Sequence, residues 1–154
     1  MLYWIFDLDN TLYQLPDNIN FSYNLLNEDT QLNYLLNNLP LKKMIFTNGT
    51  FGHAKQCLYK MKLYNFNNII ARDTINDLKP NYSAYYKFIN NNNITINDKC
   101  IFFDDLPENL IASKKFNWIT VLISKNTEVH QDIDFYFPNI YIALNFFLSK
   151  MKNY

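Results

Sequence analysis

The stretch FDLDNTLY, residues 6–13, ends an apolar run on two carboxylates, Asp7 and Asp9, set one residue apart. Like charges repel, and an unpaired buried carboxylate carries a large desolvation cost, so such a pair calls for a cation or for chemistry that uses one. The run leading into it, LYWIFDL over residues 2–8, reads as a strand. What the two acids face depends on what the other strands end on.

Outward from that strand, short apolar runs alternate with segments of helical period. This rhythm marks a parallel sheet covered by helices on both faces. Residues 22–38 carry Leu25, Leu32, Leu35 and Leu36 at helical spacing and are expected to form a helix. KKMIFTN, residues 42–48, reads as the second strand, and Gly49-Thr50 opens a helix with Ala54, Leu58 and Met61 on one face. Residues 66–71 form a weaker third strand. Lys79-Pro80 is expected to begin a further helix, because proline suits the first helical position. KCIFFD, residues 99–104, is the clearest strand; Pro107 starts the next helix, and residues 118–123 supply another strand. Residues 134–137 read as a short edge strand, before a closing helix from Pro138 with Ile140, Ala143, Leu144, Phe147, Leu148 and Met151 inward. The expected fold is a three-layer α/β, Rossmann-like domain with a mainly parallel central sheet, and residues 1–154 form one domain.

Composition narrows the function classes. Of the 154 residues 49% are hydrophobic, enough for a substantial core without disulfides. The formal net charge is zero and Arg72 is the sole arginine, which disfavours a dedicated nucleic-acid binder. Cys57 and Cys100 lack metal-ligand spacing and sit among apolar neighbours, so both read as reduced core residues. The apolar start is too short to span a membrane and runs straight into the Asp pair, leaving no room for a signal peptide. A cytoplasmic protein, monomer or homodimer, is expected.

The strand ends share a chemistry. Asp7 and Asp9 follow the first strand, Thr47 and Asn48 the second, Asp104 and Asp105 a later one, and Lys79 sits at a predicted helix start. In an open α/β sheet the carboxyl ends of the strands line one edge, where ligands bind. Carboxylates with water suit Mg2+, which bridges to phosphate. A lysine, a hydroxyl and backbone N–H groups near Gly49 can hold the remaining phosphate oxygens. One carboxylate can then attack phosphorus while a second handles the proton of the leaving oxygen.

FDLDNTLY, FTNGT, LKP and FFDDLPEN resemble, in order, the four motifs of the haloacid dehalogenase superfamily of phosphohydrolases, spread over residues 6–109. The wording DLDNTLY with FxDDxxxN is nearest to the pyrimidine 5′-nucleotidase-like branch. The resemblance implies a magnesium-dependent phosphomonoesterase acting through an aspartyl phosphate on nucleotides or other phosphorylated metabolites. It assigns Asp7 as nucleophile, Asp9 as general acid/base, and Thr47, Asn48 and Lys79 as phosphate-binding residues. Magnesium ligation is implied for Asp7, the backbone carbonyl of Asp9 and Asp105, with Asp104 nearby or acting through water, and Asn109 in support.

Many members insert a helical cap between the first two motifs. Here 39 residues separate Asp7 from Thr47 and 31 separate Thr47 from Lys79, so a flap and one helix fit but a cap does not. An open site also suits polynucleotide ends or phosphoproteins, and a catalytically lapsed binding module would keep the fold. Dehalogenation is disfavoured, because the second Asp of the first motif and the Asp104-Asp105 pair suit phosphate and metal. His53 and His130 read as surface or helix residues rather than catalysts. Tyr13, Leu15, Phe21 and Tyr23 are open to two readings, a substrate-facing flap or core packing. The pairs Lys42-Lys43 and Lys114-Lys115 read as solvated strand and helix ends.

Overall fold

The computed structural model describes residues 1–126 and 128–151. Six parallel strands form one sheet in the order β3-β2-β1-β4-β5-β6: β1 is Leu2–Phe6, β2 Lys42–Thr47, β3 Asn68–Ala71, β4 Lys99–Asp104, β5 Ile119–Ile123 and β6 Phe135–Phe137. The helices are α1 (Thr30–Asn38), α2 (Phe51–Met61), α3 (Arg72–Ile75), α4 (Tyr82–Asn91), α5 (Pro107–Ser113) and α6 (Ile140–Met151). This is the expected three-layer α/β arrangement, and no cap is inserted after β1 or β2 among the described residues. No helix among them is long and apolar enough to cross a membrane.

Side-chain alternation along β1 builds two cores. Trp4 and Phe6 pack with Leu32, Leu36, Ala54, Leu58, Leu144 and Phe147 from α1, α2 and α6. Tyr3 and Ile5 face the opposite way, joining Met44, Phe46, Phe102, Tyr85, Phe88 and Leu110 toward α4 and α5. Both faces being buried explains why the strands read as continuous apolar runs. The chain winds from β1 to β2 and β3 on one side, then returns to β4 on the other, so the order reverses at β1. Its carboxyl end is therefore the crevice of the fold.

Four local expectations are corrected. Residues 22–38 do not form one helix: Tyr23–Leu25 make a 3-10 turn capped by Ser22, and α1 begins only after Asp29, whose carboxylate accepts from Leu32 N–H at 2.9 Å. The intervening polar residues 27–29 leave no apolar periodicity to bury. Lys79-Pro80 lies in a turn and α4 starts at Tyr82, because the Lys79 backbone is held by Asn48 instead of joining a helix. Arg72–Ile75 form a short helix where none was expected, its Thr74 hydroxyl bonding back to Ala71. Lys43 is buried, not solvated: its ammonium donates to the Leu39 carbonyl at 2.8 Å, satisfying an orphan acceptor at the end of α1.

Phe103 has no exposed surface and stacks on Phe6 at 4.8 Å, with Trp4 and Phe147 around it. Phe103→Ala is expected to cost about 3–5 kcal/mol of unfolding free energy. Tyr59→Ala, on the exposed side of α2, should stay within about 0.5 kcal/mol. Urea denaturation of both variants checks the pair.

Candidate active site

Asp7 continues β1 by one residue, its N–H donating to the Phe103 carbonyl at 2.9 Å. Its side chain is almost fully buried and held from two sides: Lys79 Nζ donates to Oδ1 at 2.9 Å, and Thr11 Oγ1 donates to Oδ2 at 3.0 Å. Both partners come from loops beyond the strand, so the carboxylate is fixed in direction before any ligand arrives.

Lys79 is the hub. Its ammonium donates to Asp7, to Asp104 Oδ2 at 2.8 Å and to the Phe46 carbonyl at 2.7 Å, which uses all three protons. The Phe46 and Phe102 rings lie 5.1 and 5.2 Å away. Burial pulls the lysine toward neutrality, but Asp104 and Asp7 outweigh it and its pKa ends above the usual value. Asn48 anchors this residue from below: its amide accepts from Lys79 N–H at 2.8 Å and donates to Lys79 O at 2.9 Å. The Asn48 side chain is thus engaged in placing Lys79, which leaves its backbone as its means of meeting a phosphate.

Asp104 and Asp105 differ. Asp104 is fully buried at the end of β4 and accepts from Lys79, from Leu106 N–H at 2.9 Å and from the Asn109 amide at 3.1 and 3.2 Å. Asp105 is half-buried, accepts from Thr11 Oγ1 at 3.4 Å and lies against Asp7. Burial pushes Asp105 up to about 7, reinforced by the charges of Asp104 and Asp7. Oxygens of Asp7, Asp104 and Asp105 lie within 4.8 Å of one another. Three carboxylates against one ammonium leave an excess of negative charge that fits a divalent cation, and the free valences of Asp105 make it the more available ligand.

Asp9 stands apart from that trio. Its Oδ1 accepts from the Tyr13 hydroxyl and lies 2.7 Å from His53 Nε2, while Tyr23 Oη lies 2.9 Å from His53 Nδ1. Residues 13–25 therefore form a flap over Asp9, with Phe21 edge-on to the His53 ring at 5.1 Å. Expecting His53 to be a bystander missed this contact; its place three residues after Thr50, in the first turn of α2, was the available signal. Gly49 explains why the helix comes so close. A Cβ there would sit 3.0 Å from the His53 ring and 3.3 Å from Thr47 Oγ1. Thr47 is buried at the end of β2 and accepts from Gly49 N–H at 3.0 Å. A cleft of about 590 Å3 opens beside Asp105, lined by Asn10, Gln14, Asp17, Ser124 and Lys125.

The raised Asp105 carries a sign for stability. The folded state holds its proton up to about pH 7, whereas an unfolded aspartate releases it near pH 4, so folding takes up a proton in between. With chelator present, the urea midpoint is expected to fall as pH rises from 4 through 7, and Asp105→Asn should flatten that slope. A midpoint in the parent protein that rises over the same range would contradict the crowding of these carboxylates.

No family model matches the sequence, and no curated relative does either. Solved structures do match. The L-2-haloacid dehalogenase of Xanthobacter autotrophicus, with chloropropionic acid covalently bound, superposes with a TM-score of 0.66 at 16% identity, covering 81% of this chain and 62% of the other. A HAD phosphatase of Thermococcus onnurineus matches with a TM-score of 0.58 at 19% identity over 75% of this chain and 54% of its own. A further dehalogenase gives a TM-score of 0.64 at 18% identity, over 75% and 54%. The chain spans less than two thirds of the length of each. With six parallel strands reversing at β1 and an acid-rich crevice at their carboxyl ends, the chain has the haloacid dehalogenase fold.

Proposed function

We propose that the protein is a magnesium-dependent phosphomonoesterase of the haloacid dehalogenase type. The observation that carries this reading is the division of labour between two carboxylates two residues apart. Asp7 is locked between Lys79 and Thr11 beside Asp104 and Asp105, while Asp9 is turned away toward Tyr13 and His53. In this reading Asp7 is the nucleophile and Asp9 the acid/base of a two-step displacement, and their separate environments support that division.

Asp7, Asp105 and the Asp9 backbone carbonyl would hold Mg2+, with Asp104 nearby. When bound, the ion supplies positive charge that offsets the phosphoryl oxygens against the carboxylates. An oxygen of Asp7 bonds to phosphorus as the bond to the alcohol oxygen breaks, and Asp9 gives that oxygen its proton. Asp9 then takes a proton from water, whose oxygen attacks the phosphorus, releasing phosphate and freeing Asp7. Thr47 Oγ1 and the N–H groups around Gly49, at the start of α2, bind phosphoryl oxygens. Lys79 balances charge and keeps Asp7 in line.

The polar lining of the cleft beside Asp105 supports a hydrophilic leaving group, such as a nucleoside or sugar. With no cap, a larger phosphorylated substrate, a polynucleotide end or a phosphoprotein, also has access.

Hydrolysis of an aryl phosphate tests the reading. Turnover should require Mg2+, vanish with chelator, and fall about 10³-fold or more in Asp7→Asn. Asp9→Asn should lose about 10²–10⁴-fold in turnover while keeping Mg2+ affinity within a few-fold. Chloride release from 2-chloropropionate with inert phosphate esters would make the protein a dehalogenase instead. Silence on every ester, with Mg2+ and beryllofluoride still bound, would make it a binding module.

A further inference from the structure

A second cluster of metal-ligating side chains lies on the far side of Asp9 from the three-carboxylate group. Asp9, His53 and Cys57 each offer a ligand atom within 4.8 Å of the others. Their chemistry is unlike that of the first group: one oxygen, one imidazole nitrogen and one sulfur, a set that suits zinc and other thiophilic first-row ions and not magnesium.

The fold builds this cluster from two elements. His53 and Cys57 stand four residues apart on α2, so their side chains share one face of the helix, and Asp9 comes down onto that face from the loop after β1. Cys57 Sγ lies 3.6 Å from His53 Nε2. A tetrahedral ion at about 2.3 Å from sulfur and about 2.05 Å from nitrogen sets those two ligands about 3.6 Å apart, so this edge is already in place. His53 Nε2 and Asp9 Oδ1 are 2.7 Å apart and would open by about 0.7 Å to admit the ion. Tyr13 Oη, 3.9 Å from the sulfur, also donates to Asp9 Oδ1 and so borders the same cluster.

The surroundings meet two further requirements of a metal site. Tyr23 Oη lies 2.9 Å from His53 Nδ1, an outer hydrogen bond that fixes the ring and can accept the Nδ1 proton when Nε2 ligates. The ion has a way in, because the Asp9 side chain is 39% exposed while Cys57 forms the closed floor. Asp7, Asp104 and Asp105 contribute nothing here.

We propose that Asp9, His53 and Cys57 form a second cation site, selective for zinc-like ions, whose occupancy takes the Asp9 carboxylate out of catalysis. Binding joins the ion to the Cys57 sulfur and releases the thiol proton to solvent; no oxidation is involved. His53 gives up its Nε2–H hydrogen bond to Asp9: the ring changes tautomer through solvent, its proton moving to Nδ1, which donates to Tyr23 Oη, and the Nε2 lone pair so freed turns to the ion. The magnesium group keeps its own ligands, so the two ions bind together and inhibition by zinc is not relieved by added Mg2+. This consequence for turnover rests on the phosphatase reading; the binding itself does not.

Co2+ is the probe. Added to the reduced protein in excess Mg2+, one equivalent should produce thiolate-to-cobalt absorption in the near ultraviolet with the visible bands of a tetrahedral ion, and one equivalent of Zn2+ should displace it. Cys57→Ala should lose the absorption and weaken Zn2+ binding in equilibrium dialysis at least tenfold, while a Cys100→Ala control keeps both. His53→Asn provides a second variant, with the absorption weakened or shifted to an octahedral spectrum. Circular dichroism and the thermal midpoint confirm that each variant is folded. In the aryl phosphate assay, Zn2+ should inhibit the parent protein noncompetitively with Mg2+, and Cys57→Ala should need at least tenfold more. No thiolate absorption in the parent, or absorption that persists in folded Cys57→Ala, would overturn the site. Intact cobalt spectra with no phosphatase activity under any condition would leave the site standing and remove the phosphatase reading.

Discussion

The buried ammonium of Lys79 holds the active-site end of the sheet together. It meets Asp7 at the end of β1, Asp104 at the end of β4 and the Phe46 carbonyl in β2, so one side chain ties three neighbouring strands at their carboxyl ends. Lys79 and Asp104 have no exposed side-chain surface, and removing one partner of such a pair leaves a charge stranded in low dielectric at a cost of about 3–5 kcal/mol. The two acids are also crowded by Asp105, so the triad is short of positive charge. The same arrangement that fixes Asp7 therefore leaves beside it an excess of negative charge that a divalent cation would offset.

On the other side of the crevice the chemistry changes character. Asp9 is surrounded by Tyr13, Tyr23, Phe21, His53 and Cys57, a shell of aromatic rings and soft donors. Burial drives the Cys57 thiol up to about 11, and the Tyr13 phenol above its ordinary range with help from Asp9, so both stay protonated around the single carboxylate at neutral pH. Two carboxylates two residues apart thereby enter distinct environments, one ionic and one neutral. This divergence lets adjacent acids take different parts in a reaction.

With no cap after β1, the flap of residues 13–25 provides the only cover over Asp9 among the described residues. On the phosphatase reading, an open site would exclude water less well and make fewer contacts with a small leaving group, so specificity would come from the flap, the cleft near Asp105 or the bulk of the substrate.

Much of the frame was legible in the residues alone. Apolar runs ending on Asp7, Thr47 and Asp104 reported the strands and their carboxyl ends, because both sheet faces are buried and a polar residue is tolerated there only where it finds polar partners, as these do. Pro107 was also read as the start of the next helix, and α5 begins there. The turn at Lys79-Pro80 was misread as a helix start, since the amide clamp from Asn48 that holds it comes from 31 residues away and leaves no local trace. Cys57, read as a reduced core residue, is a free buried thiol, and His53, read as a surface or helix residue, does lie on α2; its contact with Asp9 was missed because what descends onto that face is set by the path of the chain after β1. Sequence by itself determined the fold class and the acids of the crevice, through periodicity and the cost of burying charge. Tertiary structure alone decided which acid meets the lysine and which meets the histidine, because those contacts join residues 72 and 44 positions apart, and only packing brings them within hydrogen-bonding distance.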